Sequence, residues 1–582
     1  MTNFEDVFST LGGYSKRQVL VVILVAYTGL PNALVELNII LTQAEPDHRC
    51  EIVTLENSSE YYEISEQNLT FLAIPEINGN CNTTNYDQCF MYDIDWEYDC
   101  GGGICTETEL VEISEKSKTM EEEFGNTTVP CESYVYLDSS KTVASEFELL
   151  CGIDKTSQLA LATSATYLGS AIGSIFGGIL ADKYGRTSVL AIGYTLTSIL
   201  TLSSSITKKF YVYVILKFFI GMTYIVGMIA GYIYTIEMLP AKQRAYSGFA
   251  MPVFYGTGNI ILGVLGYYFQ DWRTLLKIVF LFQTPVILFS LIVEKSPQYL
   301  CRVGKIDEAA CILYKYVRHD KVGSDKVGSD RVGSEKIGSD KVGKTKKSGQ
   351  EACSKSDIKD VLENVEQDQN EKLFTTIDLF RNKPKMAIVT LKVVGIFCLM
   401  NIYFFGISLN VGSLPGSIYF NISMNGVFGI ASCIFAPLVN NPKLGRKNLS
   451  SILFLLSAIS YTISTVYINS CEPLFQNVSQ YSAFFGKLFI GGTFKVIYEH
   501  TADLFPTCLR GNAMGLANFA SQIMGLFVPF ILELGKIASW LPGVVISVSA
   551  VLGAILSQTL PETLGLSSLQ TISDAENFYN EV

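Results

Sequence analysis

Hydrophobic positions in this chain are grouped into long runs separated by polar turns. A helix that crosses a bilayer needs roughly 20 mostly apolar residues, and twelve stretches of the sequence satisfy this condition. The first run is longer than the about 7–15 residues of a signal-peptide core, and no small-residue cleavage site follows it, so we interpret it as a span. The predicted spans are 18–42, 156–180, 188–206, 211–236, 246–269, 274–294, 386–409, 416–439, 449–469, 481–501, 512–534 and 539–560.

Composition agrees with this pattern and defines the class of protein. Of the 582 residues only 17% are charged, whereas a soluble domain carries about 25%, and the mean hydropathy is +0.30. The sequence therefore predicts an all-α membrane protein embedded in a lipid bilayer. The predicted segments are an N-terminus at 1–17, span one at 18–42, a polar stretch at 43–150, spans two to six at 156–294, a second polar stretch at 295–385, spans seven to twelve at 386–560, and a C-terminus at 561–582.

Charge along the chain predicts which side of the membrane each segment faces. The stretch 43–150 carries 24 acidic and four basic residues, so the rest of the chain is net basic although the total charge is −12. Lys and Arg in short loops favour the cytoplasmic side, and the short basic loops follow even-numbered spans. This places both termini in the cytoplasm and makes 43–150 a large extracellular loop. The basic turns are 181–187, 240–244, 442–447 and the turn at Arg510.

The predicted extracellular loop has the features of a secreted domain. Its Asn-x-Ser/Thr sequons, which predict glycosylation, are at Asn57, Asn68, Asn82 and Asn126. Its cysteines, which predict disulfides in an oxidising compartment, are Cys50, Cys81, Cys89, Cys100, Cys105, Cys131 and Cys151. Seven is an odd number, so one cysteine is free or pairs elsewhere, and six paired cysteines allow 15 connectivities. A zinc site is disfavoured, because the chain has no Cys-x-x-Cys and only three His.

The second polar stretch contains five copies of a pentapeptide, KVGSD KVGSD RVGSE KIGSD KVGKT, at 321–345. It is rich in glycine and balanced in charge, and it has no apolar face to bury, so we interpret it as a disordered linker. A docking segment for a partner is the alternative. Residues 357–380 follow with apolar positions at helical spacing, which predicts an amphipathic cytoplasmic helix.

A charged turn appears once in each half of the span pattern. After span two the chain reads GGILADKYGRTSVL (177–190), and after span eight KLGRK (443–447) stands at the corresponding place. Gly185 permits a tight reversal, so Asp182 and Arg186 can form charge-assisted hydrogen bonds at the membrane face. Such a turn acts either as a latch between two bundles or as a basic turn that only sets topology. Its recurrence indicates an internal repeat, as is common in transporters.

Several motifs carry a resemblance to a known family. The set Gly178, Ala181, Asp182, Lys183, Gly185 and Arg186 resembles the signature of the major facilitator superfamily. Within that superfamily the chain resembles the organic ion transporter family, which includes organic cation, organic anion and carnitine transporters. The motifs are LPNALVELNIILTQAEPDHRC (30–50), EFELLC (146–151), DWRTLL (271–276), EKSPQYL (294–300), TTIDLFR (375–381), ADLFPTCLRGNAMG (502–515) and LPETLG (560–565).

The resemblance implies a fold and a cytoplasmic gate. It implies the major facilitator fold, with twelve transmembrane helices in two six-helix bundles that rock around a central site. One departure is Pro442, which stands where the family has an acidic residue, so the second latch is expected to be weaker. The residues of the implied gate are Asp182, Arg186, Glu237, Arg244, Arg446, Asp503 and Arg510.

Ionisable and aromatic residues inside spans are the candidates for a substrate site. Charged groups within a span are costly and usually functional, although each is alternatively a buried structural ion pair or a snorkelling side chain at a span edge. Aromatic faces can bind cations. Gln522 lies seven residues before Pro529, where organic cation transporters have Asp and anion or carnitine transporters have Arg. The candidate set is Asn32, Glu36, Tyr224, Tyr403, Phe404, Phe405, Lys487, Glu499 and Gln522.

The sequence therefore predicts a plasma-membrane carrier of small organic ions, with an organic cation or a carnitine-like zwitterion favoured over an anion. Na⁺ or H⁺ is the expected coupling ion. A different alternative is a non-transporting surface receptor that uses the large loop. No phosphate loop, H-E-x-x-H or nucleophile elbow occurs, so we predict no enzyme activity, metal or cofactor. Nothing indicates nucleic-acid binding.

Overall fold

The structure is a computed structural model in which helices run through both predicted groups of spans. Side chains at 241–249, among others, are not described. The described residues are 16–51, 74, 76–78, 84–92, 128–137, 140–239, 241–313, 376–380, 384–565, 569 and 571–581.

The first half of the chain supplies the helices up to residue 302. Three short helices replace one continuous first span, and five long helices follow the outer loop. Their bounds are Lys16–Ala26 (α1), Gly29–Leu37 (α2), Ile39–Thr42 (α3), Val143–Glu146 (α4), Ile153–Tyr184 (α5), Arg186–Ser204 (α6), Phe210–Glu237 (α7), Ala241–Tyr268 (α8), Trp272–Ile292 (α9) and Pro297–Arg302 (α10).

The second half repeats this plan. Short 3₁₀ segments at Thr376–Leu379, Asn410–Ser413, Ser432–Asn440 and Leu534–Lys536 join or extend its helices. The α-helices are Pro384–Leu409 (α11), Ile418–Ala431 (α12), Arg446–Tyr467 (α13), Pro473–Leu504 (α14), Thr507–Gly525 (α15), Val528–Glu533 (α16), Leu541–Gln558 (α17) and Ile572–Glu581 (α18).

Ten of the twelve predicted spans correspond to described segments that are long and apolar enough to cross a membrane. The predicted spans 246–269 and 481–501 are helical too, as α8 and α14, but are not among these ten. The interior of α14 contains charged residues such as Lys487, Lys495 and Glu499, which lower its hydropathy. That α8 and α14 cross the membrane therefore remains a prediction.

The described part of the loop 43–150 is built from short strand pairs. The strands are His48–Cys50 (β1), Glu76–Asn78 (β2), Thr84–Tyr86 (β3), Phe90–Tyr92 (β4), Thr128–Pro130 (β5) and Tyr134–Tyr136 (β6). They form three antiparallel pairs, β1 with β6, β2 with β3, and β4 with β5. The all-α prediction therefore holds for the helical halves and omits these strands.

Two of the predicted loop disulfides are described. Cys50 is bonded to Cys131, and Cys89 to Cys151. Cys471, between α13 and α14, is also disulfide-bonded, so the disulfide set is not confined to the seven predicted cysteines. The predicted positions that lie outside the described residues are Cys81, Cys100, Cys105 and the sequons at Asn57, Asn68, Asn82 and Asn126. The repeat 321–345 and most of the predicted helix 357–380 lie outside them as well.

The end of the outer loop is fastened to the first half by Glu146. Its carboxylate accepts hydrogen bonds from Trp272 Nε1 (2.8 Å) and from Arg273 Nε (3.0 Å). Burial favours the neutral acid, but the hydrogen bonds from Arg273 and Trp272 outweigh it and hold the pKa of Glu146 below its usual range. Two of the sequence motifs, EFELLC and DWRTLL, thus contact each other.

The first span is interrupted because of Pro31 and Asn38. Proline has no N–H to donate to the carbonyl four residues earlier, and the chain turns at Tyr27 before α2 begins. After α2, the Nδ2 of Asn38 donates to the carbonyl oxygens of Leu34 (2.8 Å) and Val35 (2.7 Å). The interruption leaves α2 as a separate short helix that carries Glu36.

Candidate substrate site between the two halves

Glu36 is a buried carboxylate that is hydrogen-bonded only by phenols of its own half. It is 8% exposed. Its Oε1 accepts from the hydroxyl of Tyr224 on α7 (3.3 Å), and its Oε2 accepts from Tyr255 on α8 (2.9 Å). The prediction placed Tyr224 with Glu36, whereas Tyr255 was missed, because one Tyr among 31 in the chain gives no signal.

Lys487 is the buried cation that faces this acid from the second half. It is 2% exposed, its Nζ donates to Ser408 Oγ, and Nζ lies 3.3 Å from the ring centroid of Phe404. Glu36 and Lys487 interact electrostatically across the boundary between the halves. The site therefore has a negative and a positive pole on opposite halves.

An aromatic wall continues from Lys487 along the second half. We use this name for Phe397, Phe404, Phe494 and Tyr498. The rings of Phe404 and Phe494 are 4.9 Å apart, those of Phe494 and Tyr498 are stacked at 5.8 Å, and those of Phe397 and Tyr498 are 5.0 Å apart. Of these four, only Phe404 belongs to the candidate set predicted from the sequence.

Phe405 makes an aromatic contact between the halves. Its ring centroid lies 5.2 Å from that of Tyr167 on α5. The Tyr167 hydroxyl is buried without a hydrogen-bond partner, and it interacts electrostatically with Glu36. Tyr167 is thus a further residue of the site that the sequence did not indicate.

Three predicted substrate residues lie elsewhere. Tyr403 is fully buried and donates to the carbonyl oxygen of Ser457 on α13 (2.5 Å), so it packs within its own half. Asn32 accepts from the hydroxyl of Tyr194 on α6 (2.7 Å), again within one half. Glu499 lies further along α14, close enough to Arg446 and Asp503 to interact with them electrostatically.

Gln522 has an enclosed amide oxygen for which the structure provides no donor. Asn401, on α11, has the same property at its Oδ1. Both residues lie at the contact between α11 and α15, where Asn401 Nδ2 donates to the carbonyl oxygen of Ser521 (2.7 Å). Gln522 was predicted, whereas Asn401 was not.

The charged turn of the first half forms an ion-pair network around the buried Arg186. Arg186 NH2 lies 2.7 Å from Asp182 Oδ1 and 2.8 Å from Glu237 Oε1. The guanidinium also lies over the Tyr299 ring, 5.0 Å from its centroid. The turn between α5 and α6 requires Gly185, whose φ is +92°. Three predicted gate residues are therefore brought together, with Tyr299 from the EKSPQYL motif.

The charged turn of the second half has different partners. Arg446 pairs with Asp503, and both residues belong to the predicted gate set. Glu562, from the LPETLG motif, accepts from the backbone N–H groups of Arg446 (3.0 Å) and Lys447 (3.1 Å) at the start of α13. Gly445 lies beside it, and an added Cβ there would meet Glu562 Oε2 at 2.5 Å. In the second turn, Glu562 is therefore an additional acidic partner, and the turn is not simply a weaker version of the first with Pro442 in place of an acid.

These ion pairs act within a half. The described pairs of Arg186 connect α5, α6 and α7, and the pair of Arg446 connects α13 to α14. They connect helices within each bundle, and the latch between bundles stays a prediction. Arg510 lies in the first turn of α15, and the side chain of Arg244 lies outside the described residues.

The halves meet on the side of the outer loop. Ser164 Oγ donates to the carbonyl oxygen of Leu526 (2.7 Å), and Lys536 Nζ pairs with Glu45 (2.8 Å). α8 and α12 approach so closely that a Cβ on Gly426 would lie 2.5 Å from the carbonyl oxygen of Gly256. A Cβ on Gly178, Gly511 or Gly515, toward the other side, would meet no atom within 4 Å.

Two similar helical halves around a shared charged and aromatic site define a multi-pass membrane transporter. The chain belongs to the sugar (and other) transporter family, whose profile matches residues 111–573. The predicted family resemblance and the major facilitator fold are thereby confirmed.

Three relatives match this chain over most of its length. An organic cation transporter-like protein of Drosophila melanogaster is 26% identical, and the match covers 99% of this chain and 93% of that protein. Organic cation/carnitine transporter 2 of Homo sapiens is 22% identical, with 98% and 94% covered. Organic anion transporter 3 of Oryctolagus cuniculus is 25% identical, with 78% of each covered.

Solved structures share the fold. The proton:xylose symporter XylE bound to 6-bromo-6-deoxy-D-glucose aligns with a TM-score of 0.51 at 19% identity, covering 74% of this chain and 91% of that chain. A partially occluded inward-open XylE from E. coli aligns with a TM-score of 0.52 at 17% identity, covering 72% and 90%. None of the relatives and structures cited here is described as a receptor.

Proposed function

We propose that this protein carries small organic ions with a positive charge, either cations or zwitterions, through the site between Glu36 and Lys487. The observation that carries the proposal is the presence of a buried acid on one half and a buried base on the other, which interact electrostatically. Buried charges at this depth are costly unless they are paired or functional. The names of the organic cation and carnitine relatives support the same substrate class.

The two poles match the two ends of a zwitterion. The cationic end would lie near Glu36 and its phenols, where Tyr167, Tyr224 and Tyr255 add aromatic faces, each worth about 0.5–2 kcal/mol for a cation. The carboxylate end would meet Lys487. A simple cation would use only the first pole, and an anion only the second, so the organic anion relative remains an alternative.

A proton is the coupling ion that the site supports better than Na⁺. Glu36 is bonded only by two phenols, which donate hydrogen bonds to it. Na⁺ would require several converging oxygen acceptors, whereas a proton requires only the carboxylate. A proton on Glu36 would remove the charge that binds the cation, so proton and cation would exchange at this carboxylate. An outward proton gradient across liposomes should therefore accelerate uptake, and an outward Na⁺ gradient at equal pH on both sides should not.

The chain is a multi-pass membrane protein, and its orientation belongs to the proposal. Basic short loops support a cytoplasmic location of both termini. The four sequons and the disulfides of the loop 43–150 support an extracellular loop and a plasma-membrane location. Protease and glycosidase treatment of intact cells would test both points.

Uptake by cells that express the full chain tests the proposal. The probes are labelled N,N-dimethylethanolamine, whose protonated amine keeps an N–H, carnitine and benzoate. Glu36→Gln should reduce cation and carnitine uptake by at least about tenfold, since it removes the charge of one pole. Lys487→Met should reduce carnitine uptake and spare the cation. Glu472→Gln, an exposed acid before α14, is the matched control and should change neither.

Surface labelling must show equal amounts of each variant. Benzoate uptake that does not depend on Glu36, without cation or carnitine uptake, would replace the proposal by anion transport. Absence of uptake for all three probes, with the protein at the surface, would contradict the proposed substrate class altogether.

A further inference from the structure

Two buried amide oxygens at the contact between α11 and α15 have no hydrogen-bond donor. Asn401 is 3% exposed. Its Nδ2 donates to the carbonyl oxygen of Ser521, which fixes the orientation of the amide and leaves Oδ1 as the atom without a partner. The Oε1 of Gln522, the next residue on α15, is equally enclosed and unpartnered.

These oxygens lie beside the charged site. Asn401 is three and four residues before Phe404 and Phe405 on α11, so all three share one face of the helix. The ammonium of Lys487 lies over the ring of Phe404, and Phe405 packs against Tyr167 of the other half. Asn401 therefore lies on the helix face that carries the residues of the charged site, and Gln522 follows its hydrogen-bond partner Ser521 on α15.

Their chemistry specifies what a ligand must supply. Native proteins rarely leave a buried acceptor without a donor, and each such atom calls for an explanation. An amide oxygen accepts N–H or O–H groups and gains nothing from a methyl group. A protonated primary, secondary or tertiary amine carries at least one N–H, whereas a quaternary ammonium carries none.

We propose that Asn401 and Gln522 form an amine subsite, which selects protonated amines with an N–H over quaternary ammonium ions of the same charge. The inference deepens the proposed function and rests on it. Glu36 would balance the charge of the ligand, and the two amide oxygens would accept its N–H. Selectivity would then reside in α11 and α15, and charge recognition in α2.

A matched pair of cations tests the subsite. Choline and N,N-dimethylethanolamine share a hydroxyethyl arm and a single positive charge, and they differ in one N–CH₃ against one N–H. Proteoliposomes containing the full chain should take up dimethylethanolamine with a kcat/KM at least about tenfold higher, because a quaternary ion leaves buried acceptors unpaired.

Two variants test what determines the ratio of dimethylethanolamine uptake to choline uptake. Gln522→Met keeps the length of the side chain and removes the oxygen, and Asn401→Ala removes the other oxygen. Each should bring the ratio toward one, mainly by slowing dimethylethanolamine. The control is Asn259→Ala on α8, which removes an equally buried unpartnered amide oxygen at a different contact and should leave the ratio unchanged.

The subsite is wrong if the wild type does not discriminate between the two cations, or if the ratio survives in Gln522→Met. Carnitine separates this failure from failure of the proposed function. Carnitine uptake that depends on Glu36, without discrimination between the two cations, would overturn the subsite alone. Uptake of none of the three compounds would overturn the proposed function and the subsite with it.

Discussion

The charged turns of the two halves occupy corresponding places in the chain and are built from different partners. Arg186 lies between Asp182, four residues earlier, and Glu237 at the end of α7. Arg446 has Pro442 four residues earlier and pairs with Asp503 instead. The repeated motif therefore determines where the arginine lies and does not determine what neutralises it.

The ion pairs of the two turns are buried to different extents, so they should contribute differently to the free energy of unfolding. The Arg186 and Glu237 side chains are 1% and 7% exposed, whereas those of Arg446 and Asp503 are 11% and 40% exposed. A buried charge that loses its partner is far more destabilising than an exposed one. The first turn should therefore depend on Glu237 more strongly than the second turn depends on Asp503.

The largest effect is expected at Glu237. Glu237→Gln removes a carboxylate from the most buried arginine of the network, and we expect a loss of about 3 to 5 kcal/mol of unfolding free energy. Thermal unfolding of the detergent-solubilised protein measures it. Glu472→Gln serves as the exposed control. A loss no larger than that of Asp503→Asn would remove the distinction between the halves.

An intermediate effect is expected at Glu562, with a dependence on pH. Burial favours the neutral form, but backbone N–H groups of Arg446, Leu564 and Lys447 hold the pKa of Glu562 below its ordinary value of 4.5. Ionised Glu562 therefore stabilises the fold above pH 4.5, and this stabilisation is lost as the pH falls through the lowered pKa.

Glu562→Gln should cost about 1 to 2 kcal/mol at neutral pH, as loss of a charged helix cap does. Between about pH 5 and pH 3, wild-type stability should fall more steeply than that of the variant. Melting temperatures across this range test the prediction, and parallel curves would show that Glu562 contributes nothing as an ion.

A smaller effect is expected at Asp503. Asp503→Asn breaks the ion pair with Arg446, but solvent reaches this carboxylate, so the cost should be about 1 kcal/mol or less. The same melting assay applies, with added salt as a check, because an exposed pair weakens as ionic strength rises. A loss unaffected by salt would indicate a role beyond charge.

The smallest effect tests whether the two turns can be made alike. Pro442→Asp places an acid four residues before Arg446, as Asp182 stands before Arg186. We expect a gain of about 0.3 to 0.5 kcal/mol, and a larger gain in the Asp503→Asn background, where Arg446 has lost the carboxylate of Asp503. A double-mutant cycle measures the coupling, and a coupling of zero would show that residue 442 cannot reach Arg446.

Much of the architecture could be predicted because it rests on local pattern. Apolar runs of bilayer length mark the helices, and a lone acid between Val35 and Leu37 is conspicuous in such a run. The partners of these residues were harder to find. Glu562 is 116 residues from Arg446 in sequence, and only the fold brings them into contact.

The candidate site shows the same division. Glu36 and Lys487 are visible as charges inside spans, although the structural interpretation was favoured for Lys487. Asn401 could not be selected, because its significance is an unpaired oxygen, which is a property of packing and not of residue type. Tyr403 was selected and Tyr167 was missed because spacing along a helix does not reveal which tyrosine faces the other half.

Substitutions at the contact of Gly256 with Gly426 would stop the transport cycle at one stage. Because each glycine lies against the backbone of the opposite helix, a bulky residue at either position would act as a wedge that prevents the halves from closing beneath the outer loop. A protein held in that way would display its binding site to the exterior permanently. Such a variant would stay in one conformation and would therefore suit ligand screening and imaging.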